Sequence, residues 1–239
     1  MGEIYKQIIT AKQQGKRLLA ILLDPDKVEI DELEVLVEKI ALSEATHIFI
    51  GGSLLFANRQ DTIITLLKNK LTLPVLLFPG SASHITDLAD GILFLSLISG
   101  RNPDYLIGQQ VQAAPLLKKS KLEVVSTGYM LVESGKQTTV SYISGTTPIP
   151  NDKPEIALAT ALASEMIGHK MIYLEAGSGA LHPVPLDMIR MVSQNIDIPL
   201  IVGGGIRSKA WMDQVYEAGA TLVVIGTAFE KNNDFFSDL

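Results

Sequence analysis

Two glycine clusters near the end of the chain have the composition of a phosphate-binding site. Gly203-Gly204-Gly205 follows the apolar segment 199–202, and Gly226-Thr227 follows the apolar segment 221–225. Glycine lets the backbone approach an anion closely, and N–H groups at the start of a following helix can donate hydrogen bonds to it. A tight turn between a strand and a helix would explain either cluster alone. Two clusters at equivalent places favour phosphate binding.

A third segment combines glycine with a carboxylate. It is the run Tyr173-Leu174-Glu175-Ala176-Gly177-Ser178-Gly179, which continues the apolar segment 170–174. The Gly-Ser-Gly end of this run is compatible with a bound anion. The carboxylate of Glu175 could orient or deprotonate a substrate hydroxyl. A salt bridge or a helix cap is the alternative interpretation of this carboxylate.

Two residues nearer the start of the chain carry oxygen ligands for a metal. Asp24 directly follows the apolar segment 18–23, and Ser53 follows the apolar segment 47–50 after two glycines. Neighbouring strands lie about 5 Å apart, so the two side chains could share one hard divalent cation, which prefers oxygen ligands and keeps several waters. Each residue could instead cap the helix that follows it. The sequence leaves these two alternatives open.

The composition limits the classes of function. The chain has 239 residues, of which 47% are hydrophobic and 19% charged, with a net charge of −6 and no cysteine. This predicts a sizeable core and excludes disulfides and thiolate catalysis. No basic stripe of the kind that binds nucleic acid is present. A phosphate ligand would therefore need local positive potential. Because no secretory segment or membrane-spanning run is found, we expect a soluble cytoplasmic protein.

Short apolar segments alternate with amphipathic helical stretches along the whole chain. Strands are predicted at 18–23, 47–50, 75–78, 91–96, 122–132, 170–174, 199–202 and 221–225. Eight near-equal strand–helix units predict an α/β fold, a single TIM (β/α)8 barrel domain over residues 1–239. A doubly wound open sheet is the alternative. In such barrels the active site lies at the carboxyl ends of the strands, and phosphate is often bound after strands seven and eight.

Helical periodicity predicts the elements between the strands. Helices are predicted at 1–14, 30–40, 54–67, 83–88, 104–117, 154–168, 186–194, after the N-cap Ser208, and finally in a segment ending near Phe236. The segment 133–151 is rich in serine, threonine, glycine and proline, a composition that predicts a loop. The four histidines show no metal-binding spacing.

Taken together, the motifs resemble those of the geranylgeranylglyceryl phosphate synthase family, with its heptaprenylglyceryl phosphate synthase relatives. The resemblance covers essentially the whole chain. No single motif is specific, but the ordered set is. The matching segments are 23–27, 51–53, 147–150, 153–157, 173–179, 203–207 and 226–227.

The resemblance implies a magnesium-dependent TIM-barrel prenyltransferase. Such an enzyme joins sn-glycerol 1-phosphate to a polyprenyl diphosphate through an ether bond and releases diphosphate. Asp24 and Ser53 are the implied magnesium ligands, and Glu175 and Tyr173 are the implied catalytic residues. The implied glycerol phosphate site consists of Tyr173, Leu174, Glu175, Ala176, Gly177, Ser178, Gly179, Gly204, Gly205, Gly226 and Thr227.

The resemblance also sets expectations about the prenyl donor and the partners. The apolar regions 76–79 and 94–98 would line a groove for the prenyl tail. A geranylgeranyl donor is expected, with a heptaprenyl donor as the alternative. Some relatives carry a lysine at the position of Leu22, for which Lys27 could compensate here. Lys27 and Arg207 both lie near phosphate-compatible loops, and the alternative for each is a charge on the surface of a helix. A homo-oligomer, transient contact with a membrane surface and no nucleic-acid partner are expected.

Two other functions stay open at the level of sequence. One is a sugar-phosphate isomerase, which commonly needs an acid and a base at the ends of opposite strands. Asp24 and Glu175 are carboxylates at strand ends, but no second partner is evident near the fifth strand. The other is a binding protein that keeps the phosphate pocket without catalysis. Dependence on magnesium and on a prenyl diphosphate would separate these alternatives.

Overall fold

The computed structural model describes residues 2–56, 59–226 and 228–229. Within them, eight parallel strands close into a barrel in the order in which they occur along the chain. They are β1 (Leu18–Leu23), β2 (His47–Ile50), β3 (Val75–Leu77), β4 (Gly91–Leu97), β5 (Glu123–Leu131), β6 (Met171–Glu175), β7 (Leu200–Gly203) and β8 (Leu222–Ile225). Pairing of β8 with β1 closes the sheet, which leaves no open edge. The predicted TIM barrel is therefore confirmed.

Helices cover the outside of the barrel. They are α1 (Glu3–Gln14), α2 (Leu33–Leu42), α3 (Gln60–Lys70), α4 (Gln109–Leu117), α5 (Thr139–Ser144), α6 (Pro154–Ile167), α7 (Leu186–Ser193) and α8 (Lys209–Glu217). Two 3-10 helices, Ile30–Glu32 and Ala82–His84, and one π-helical turn, Asp104–Gly108, add to them. None of the described helices is long and apolar enough to cross a membrane. The predicted helix that ends near Phe236 lies mainly outside the described residues.

Apolar side chains form two cores, one on each face of the closed sheet. Phe49 and Ile201 point into the barrel. Their chain neighbours Ile50 and Val202 pack outward beneath the helices. Because both faces are buried, the strands read as continuous apolar runs. The same alternation directs every second residue at the carboxyl end of a strand toward the mouth of the barrel.

Helix α1 closes the amino end of the barrel. Its residues Ile4, Tyr5 and Ile8 are buried against the interior side chains. Glu123, the first residue of β5, accepts the N–H groups of Ile4 and Tyr5, both at 2.8 Å. A carboxylate at this place satisfies helix donors that have no partner within the helix. The carboxyl end is left as the open face of the barrel.

The segment 133–151 is a loop for most of its length, as its composition predicts, but one part of it is helical. It contains α5, whose first turn is held by reciprocal hydrogen bonds between Thr138 and Ser141. Gly145 ends this helix with a left-handed φ of 60°. Serine and threonine favour loops, but here they cap a short helix, which is why the prediction misses Thr139–Ser144. A parallel bridge between Val132 and Ile149 also extends the barrel wall at this point.

The predicted helix 54–67 begins too early. In the structure α3 begins at Gln60, and residues 53–56 are not helical. Asp26 accepts the N–H of Phe56 at 2.8 Å, which holds this segment against the loop after β1. Ser53 therefore does not cap a helix. The predicted helix 83–88 is likewise reduced to the single 3-10 turn Ala82–His84, because Ile85 is extended.

The contact between Glu123 and α1 predicts a stability effect. We expect Glu123→Ala to lower the free energy of unfolding by about 2 kcal/mol, because two helix N–H groups lose a charged acceptor at a half-buried place. Urea denaturation followed by circular dichroism measures the change. Glu38→Ala, which removes an exposed carboxylate on α2, is the control and should change the value by less than about 0.5 kcal/mol. Equal losses in both variants would contradict the capping role.

Candidate active site at the carboxyl ends of the strands

A polar cavity of about 670 Å³ opens at the carboxyl end of the barrel. Its wall is built mainly by the loops that follow β1, β2, β6, β7 and β8. Most of the residues that the sequence predicts to be functional lie in this wall. They are Asp24, Ser53, Tyr173, Glu175, Gly177, Ser178, Gly179, Gly204, Gly205 and Gly226. The barrel therefore brings together motifs that are far apart in the sequence.

Glu175 occupies a crowded position in this wall. It ends β6 beside Gly203 of β7 and is only 6% exposed. Its Oε1 atom accepts the N–H of Gly177 at 2.7 Å. A Cβ atom on Gly203 would lie 2.8 Å from Oε2, and one on Gly204 would lie 2.5 Å from Oε1. Both neighbours must therefore be glycine for the carboxylate to lie here.

Burial changes the acid–base chemistry of this group. It raises the pKa of the Glu175 carboxyl to about 7, and hydrogen bonding to Tyr173 and to the N–H of Gly177 opposes that rise. Burial, followed by the nearby carboxylate, raises the pKa of Tyr129 and of Tyr173 well above the usual value, so both phenols stay protonated. A carboxyl group with a pKa near neutrality can take a proton from a substrate hydroxyl and release it again.

The hydroxyl of Tyr173 faces the same place as the carboxylate. A Cβ atom on Gly203 would lie 2.5 Å from this hydroxyl, as well as next to Glu175 Oε2. Hydrogen bonding between this hydroxyl and the carboxylate affects the pKa of both groups, and within the described residues the hydroxyl makes no other hydrogen bond. Tyr173 and Glu175 therefore form one polar pair in the cavity wall.

The loop after β7 turns sharply through two glycines. Gly204 and Gly205 have φ values of 83° and 72°, which favour glycine over any other residue. A Cβ atom on Gly205 would also lie 2.9 Å from the backbone of Pro183. Gly226, after β8, lies on the same wall beside Leu22. This bare backbone surface is what a phosphate needs for close approach.

Three predicted binding residues need separate description. Leu174 and Ala176 are fully buried in the outer core, because their side chains point away from the barrel interior. Any contact of these two residues with a substrate would use their backbone. Thr227 lies outside the described residues.

Three cationic side chains surround the glycine loops. Arg207 lies in the cavity wall and donates to the carbonyl of Ala180 at 2.6 Å. Lys27 also lies in the wall, with Nζ 3.1 Å from Asp24 Oδ2. Lys136, in the loop after β5, lies close to Gly179. A Cβ atom added to that glycine would be 3.2 Å from Lys136 Nζ. The cavity wall therefore contains two cations, Lys27 and Arg207, among three acidic residues, Asp24, Asp26 and Glu175.

Asp24 and Ser53 both lie in the wall of the cavity. A Cβ atom on Gly52 would lie 3.4 Å from Asp24 Oδ1. The same oxygen accepts the N–H of Asp26 at 3.1 Å, so Asp24 closes a turn and caps no helix. Within the described residues, no group of three or more histidine, aspartate or glutamate side chains could hold a metal. One carboxylate and one hydroxyl still fit magnesium, which usually keeps waters and binds phosphate oxygens of the substrate.

An apolar groove adjoins the polar cavity. Its wall comes from the segment after β3, from β4, from α4 and from α5, and it contains parts of both regions that the sequence predicts to line a prenyl groove. These parts are Phe78, Pro79, Phe94, Leu95 and Leu97. The groove and the cavity share several lining residues, so the two spaces meet. The shared residues are Gly52, Ser53, Phe78, Tyr129 and Val140.

Aromatic rings form the junction between the two spaces. The ring centroids of Phe78, Tyr129 and Tyr173 are separated by 5.3 to 5.8 Å. Sequence reasoning missed Tyr129, because it lies within a continuous apolar strand and resembles a core residue. It also missed Lys136, which belongs to a segment predicted as loop. In a barrel strand, side chains alternate between the interior and the outside. This alternation along β5 is a signal that could have indicated Tyr129.

Comparison with known proteins places the chain in a family. The sequence profile of the PcrB family matches residues 11–238. The chain belongs to this family. It is 58% identical over 233 residues to geranylgeranylglyceryl phosphate synthase of Flavobacterium johnsoniae, across 98% of this chain and 96% of that protein. It is 46% identical over 240 residues to the protein of the same name from Chitinophaga pinensis, across 100% of this chain and 94% of that protein.

A solved structure is also similar to this PcrB family member. It is (S)-3-O-geranylgeranylglyceryl phosphate synthase from Thermoplasma acidophilum in complex with sn-glycerol-1-phosphate, which matches with a TM-score of 0.92 at 33% identity. The match covers 99% of this chain and 95% of that chain. The family resemblance that the ordered motifs indicate is therefore confirmed.

The raised pKa of Glu175 predicts a pH-dependent stability. Unfolding returns the carboxyl to a pKa of about 4.5, so between about pH 4.5 and pH 7 the folded state binds more protons than the unfolded state. Stability from this group therefore falls as the pH rises through that interval. In wild type this group should lower the free energy of unfolding by up to about 3 kcal/mol across the interval. We expect Glu175→Gln to abolish this decline. Urea denaturation across the interval measures the slope.

The comparison between variants is what tests this effect. Burial lowers the pKa of His47 to about 4, and a histidine shifted in this direction makes stability rise with pH instead. The diagnostic quantity is therefore the difference between wild type and Glu175→Gln in the slope of the unfolding free energy against pH. Glu155→Gln, at an exposed place on α6, is the control. A Glu175→Gln slope equal to that of the wild type would show that this carboxyl is not the source.

Proposed function

We propose that this PcrB family member transfers a prenyl group from a polyprenyl diphosphate to a hydroxyl of sn-glycerol 1-phosphate. The bond between the allylic carbon of the donor and diphosphate breaks. A new ether bond forms between that carbon and a glycerol oxygen, and the hydroxyl proton is lost to a base. The observation that carries the proposal is the meeting of a glycine-lined polar cavity with an apolar groove at Phe78 and Tyr129. The names of the relatives support the same reaction.

The polar cavity suits the acceptor. The phosphate would lie against the backbone of Gly177–Gly179, Gly204-Gly205 and Gly226, with Arg207 and Lys136 nearby as positive charge. The glycerol hydroxyls would then reach Glu175 and Tyr173. Glu175 takes the proton as the ether bond forms, and its pKa of about 7 suits this task near neutral pH. Fixing both substrates beside each other supplies a further part of the rate.

The residues after β1 and β2 suit the diphosphate end of the donor. Asp24 and Ser53 would hold a magnesium ion, with Lys27 beside them as a further positive charge. Magnesium bound there supplies charge neutralisation to the departing diphosphate. This arrangement places the leaving group at the mouth of the apolar groove, where the prenyl tail lies.

The aromatic junction suits the reacting carbon. Departure of diphosphate leaves positive charge on the allylic carbon, and aromatic faces attract cations. Phe78 and Tyr129 line both spaces, so they border the place where the carbon must pass from groove to cavity. Tyr129 stays protonated because burial raises its pKa well above the usual value. It can therefore solvate positive charge without itself becoming a nucleophilic phenolate.

Several finer expectations belong to this proposal. The donor is geranylgeranyl diphosphate, the protein is a cytoplasmic homo-oligomer formed from single-domain chains, and its lipid chemistry brings it into transient contact with a membrane surface. Phe56 and Tyr142, which are 87% and 72% exposed, support such a contact, because both belong to segments that border the two spaces. Apolar side chains at this rim suit a lipid donor that enters from a bilayer.

A transfer assay tests the reaction and the metal together. Labelled sn-glycerol 1-phosphate is incubated with magnesium and a series of prenyl diphosphates, and organic-extractable label is measured. We expect product in wild type, its loss on chelation, and a fall in kcat/KM of at least about 100-fold in Asp24→Asn, because charge neutralisation of the leaving group is lost. Asp31→Asn, at an exposed 3-10 turn, is the control and should retain wild-type activity.

The outcome separates the rival functions. Turnover of a sugar phosphate without metal or prenyl diphosphate would favour an isomerase. Binding of glycerol phosphate without product from any donor would favour a protein that keeps only the phosphate pocket. Either result would overturn the proposed prenyl transfer and leave the barrel and its cavity unchanged.

The role of Glu175 as the base has its own test. We expect kcat of wild type to rise with pH around an apparent pKa near 7, because the carboxylate form accepts the proton. Glu175→Gln should lower kcat by about 100-fold or more and remove this dependence. A pH–rate profile of both proteins, with thermal unfolding as the check of folding, measures it. Persistence of the profile in Glu175→Gln would assign the base to another group.

A further inference from the structure

A single residue contacts both loops that carry the residues of the proposed magnesium site. Asp26 lies in the cavity wall, in the loop after β1. Its backbone N–H donates to Asp24 Oδ1 at 3.1 Å, and its own Oδ2 atom accepts the N–H of Phe56 at 2.8 Å. Phe56 lies three residues after Ser53 in the loop that follows β2. Asp26 therefore joins the loop of Asp24 to the loop of Ser53.

The N–H of Asp26 orients the carboxylate of Asp24. It bonds to Oδ1, whereas a cation contacts the other oxygen, because Lys27 Nζ lies 3.1 Å from Oδ2. The carboxylate is partly exposed, with 22% of the side chain accessible. Oδ2 is therefore the oxygen that Asp24 presents to a cation at this place.

The loop of Ser53 depends on its neighbours for its shape. It leaves β2 through Gly51-Gly52, and glycine restricts the backbone least; residues 53–56 are not helical. A Cβ atom on Gly80 would lie 2.5 Å from the carbonyl oxygens of Gly52 and Ser53, so the loop after β3 packs against this loop. Asp26 supplies the hydrogen bond that holds it from the loop after β1.

A charged acceptor suits the task of holding a loop. A backbone N–H bonded to a carboxylate forms a stronger hydrogen bond than one bonded to a neutral oxygen. Arg59 also joins the two loops, since its Nη1 lies 3.2 Å from the carbonyl of Val28 and 3.2 Å from Glu29 Oε2. That ion pair is exposed, and exposed pairs stabilise little. Of these two contacts, the one made by Asp26 lies nearer to Ser53 along the chain.

We infer that Asp26 is a positioning residue for the proposed magnesium site and that it acts through Ser53. The inference rests on the proposed function and names a residue, outside the pair of ligands, on which the site depends. Magnesium requires near-ideal octahedral geometry at its oxygen ligands, so a shift of the loop that carries Ser53 weakens binding. Residues that orient metal ligands typically contribute roughly 10- to 100-fold to metal affinity. Asp26 does so without contacting the metal.

Binding of Mn²⁺ tests this role without turnover. Mn²⁺ suits the same oxygen ligands, and its free form is titrated against protein by electron paramagnetic resonance. We expect the Kd for Mn²⁺ to rise about tenfold in Asp26→Ala. Asp26→Asn should stay within about threefold of wild type, because its amide oxygen can still accept the N–H of Phe56. Asp31→Ala, which removes an exposed carboxylate between β1 and α2, should leave the Kd unchanged.

A double-mutant cycle separates positioning from charge. Ser53→Ala removes the hydroxyl that Asp26 holds in place. In that background Asp26→Ala should raise the Kd for Mn²⁺ by less than about threefold, because the positioned ligand is already lost. A carboxylate that only attracts the cation through space would have its full effect in both backgrounds. That result would overturn the inference, and so would an Asp26→Asn variant that binds Mn²⁺ as weakly as Asp26→Ala.

The transfer assay distinguishes this inference from the proposed function, with thermal unfolding as the check that each variant is folded. In Asp26→Ala we expect the magnesium concentration for half-maximal activity to rise about tenfold, with the KM for glycerol phosphate unchanged. If wild type gives no product with any donor while the Mn²⁺ cycle behaves as expected, the prenyl transfer is overturned and the positioning role stands. Wild type that binds no Mn²⁺ would overturn the magnesium site and the inference together.

Discussion

The burial of one carboxylate, that of Glu175, constrains the rest of the site. Removal of a charged carboxylate from water is costly unless hydrogen bonds compensate or the group takes up a proton. Both occur here, because Gly177 donates to it and burial moves its pKa to about 7. The position also requires glycine at 203 and 204, since a Cβ atom at either residue would collide with the carboxylate. Gly203 and Gly204 therefore make room for the buried carboxylate itself.

Local arrangement, not net charge, prepares this acidic chain for anionic substrates. The overall charge is −6, which by itself would repel a phosphate. Arg207 and Lys27 nevertheless lie in the cavity wall, and Lys136 lies close to Gly179. The backbone turns sharply at Gly204 and Gly205 and adds a surface that an anion can approach. The barrel brings these groups together because all eight strands deliver their following loops to one face.

The elements with strong periodicity could be predicted from the sequence, and so could the gathering of the residues that follow the strands in the wall of one cavity. Once eight parallel strands are expected, residues that follow them, such as Asp24 and Glu175, must share one face. Tyr129 could not be identified, because an inward-facing tyrosine in an apolar strand has the same pattern as a packing residue. Lys136 and α5 could not be placed, because their positions depend on contacts between loops. The start of α3 was predicted too early because apolar side chains at 54–56, which border the cavity, continue the helical period without belonging to the helix.

The loop after β5 joins the two halves of the site. The carbonyl of Ser134 accepts the N–H of Leu181 at 3.1 Å, and Thr138 packs against Gly177, where a Cβ atom would lie 2.5 Å from the threonine methyl group. The same segment continues into α5, whose Val140 lines both the cavity and the groove. If the groove holds the prenyl chain as proposed, an acceptor bound on the glycine loop would therefore stabilise the helix that borders this chain. Because an allylic cation reacts readily with water, a cover tied to the acceptor loop favours ether formation over hydrolysis.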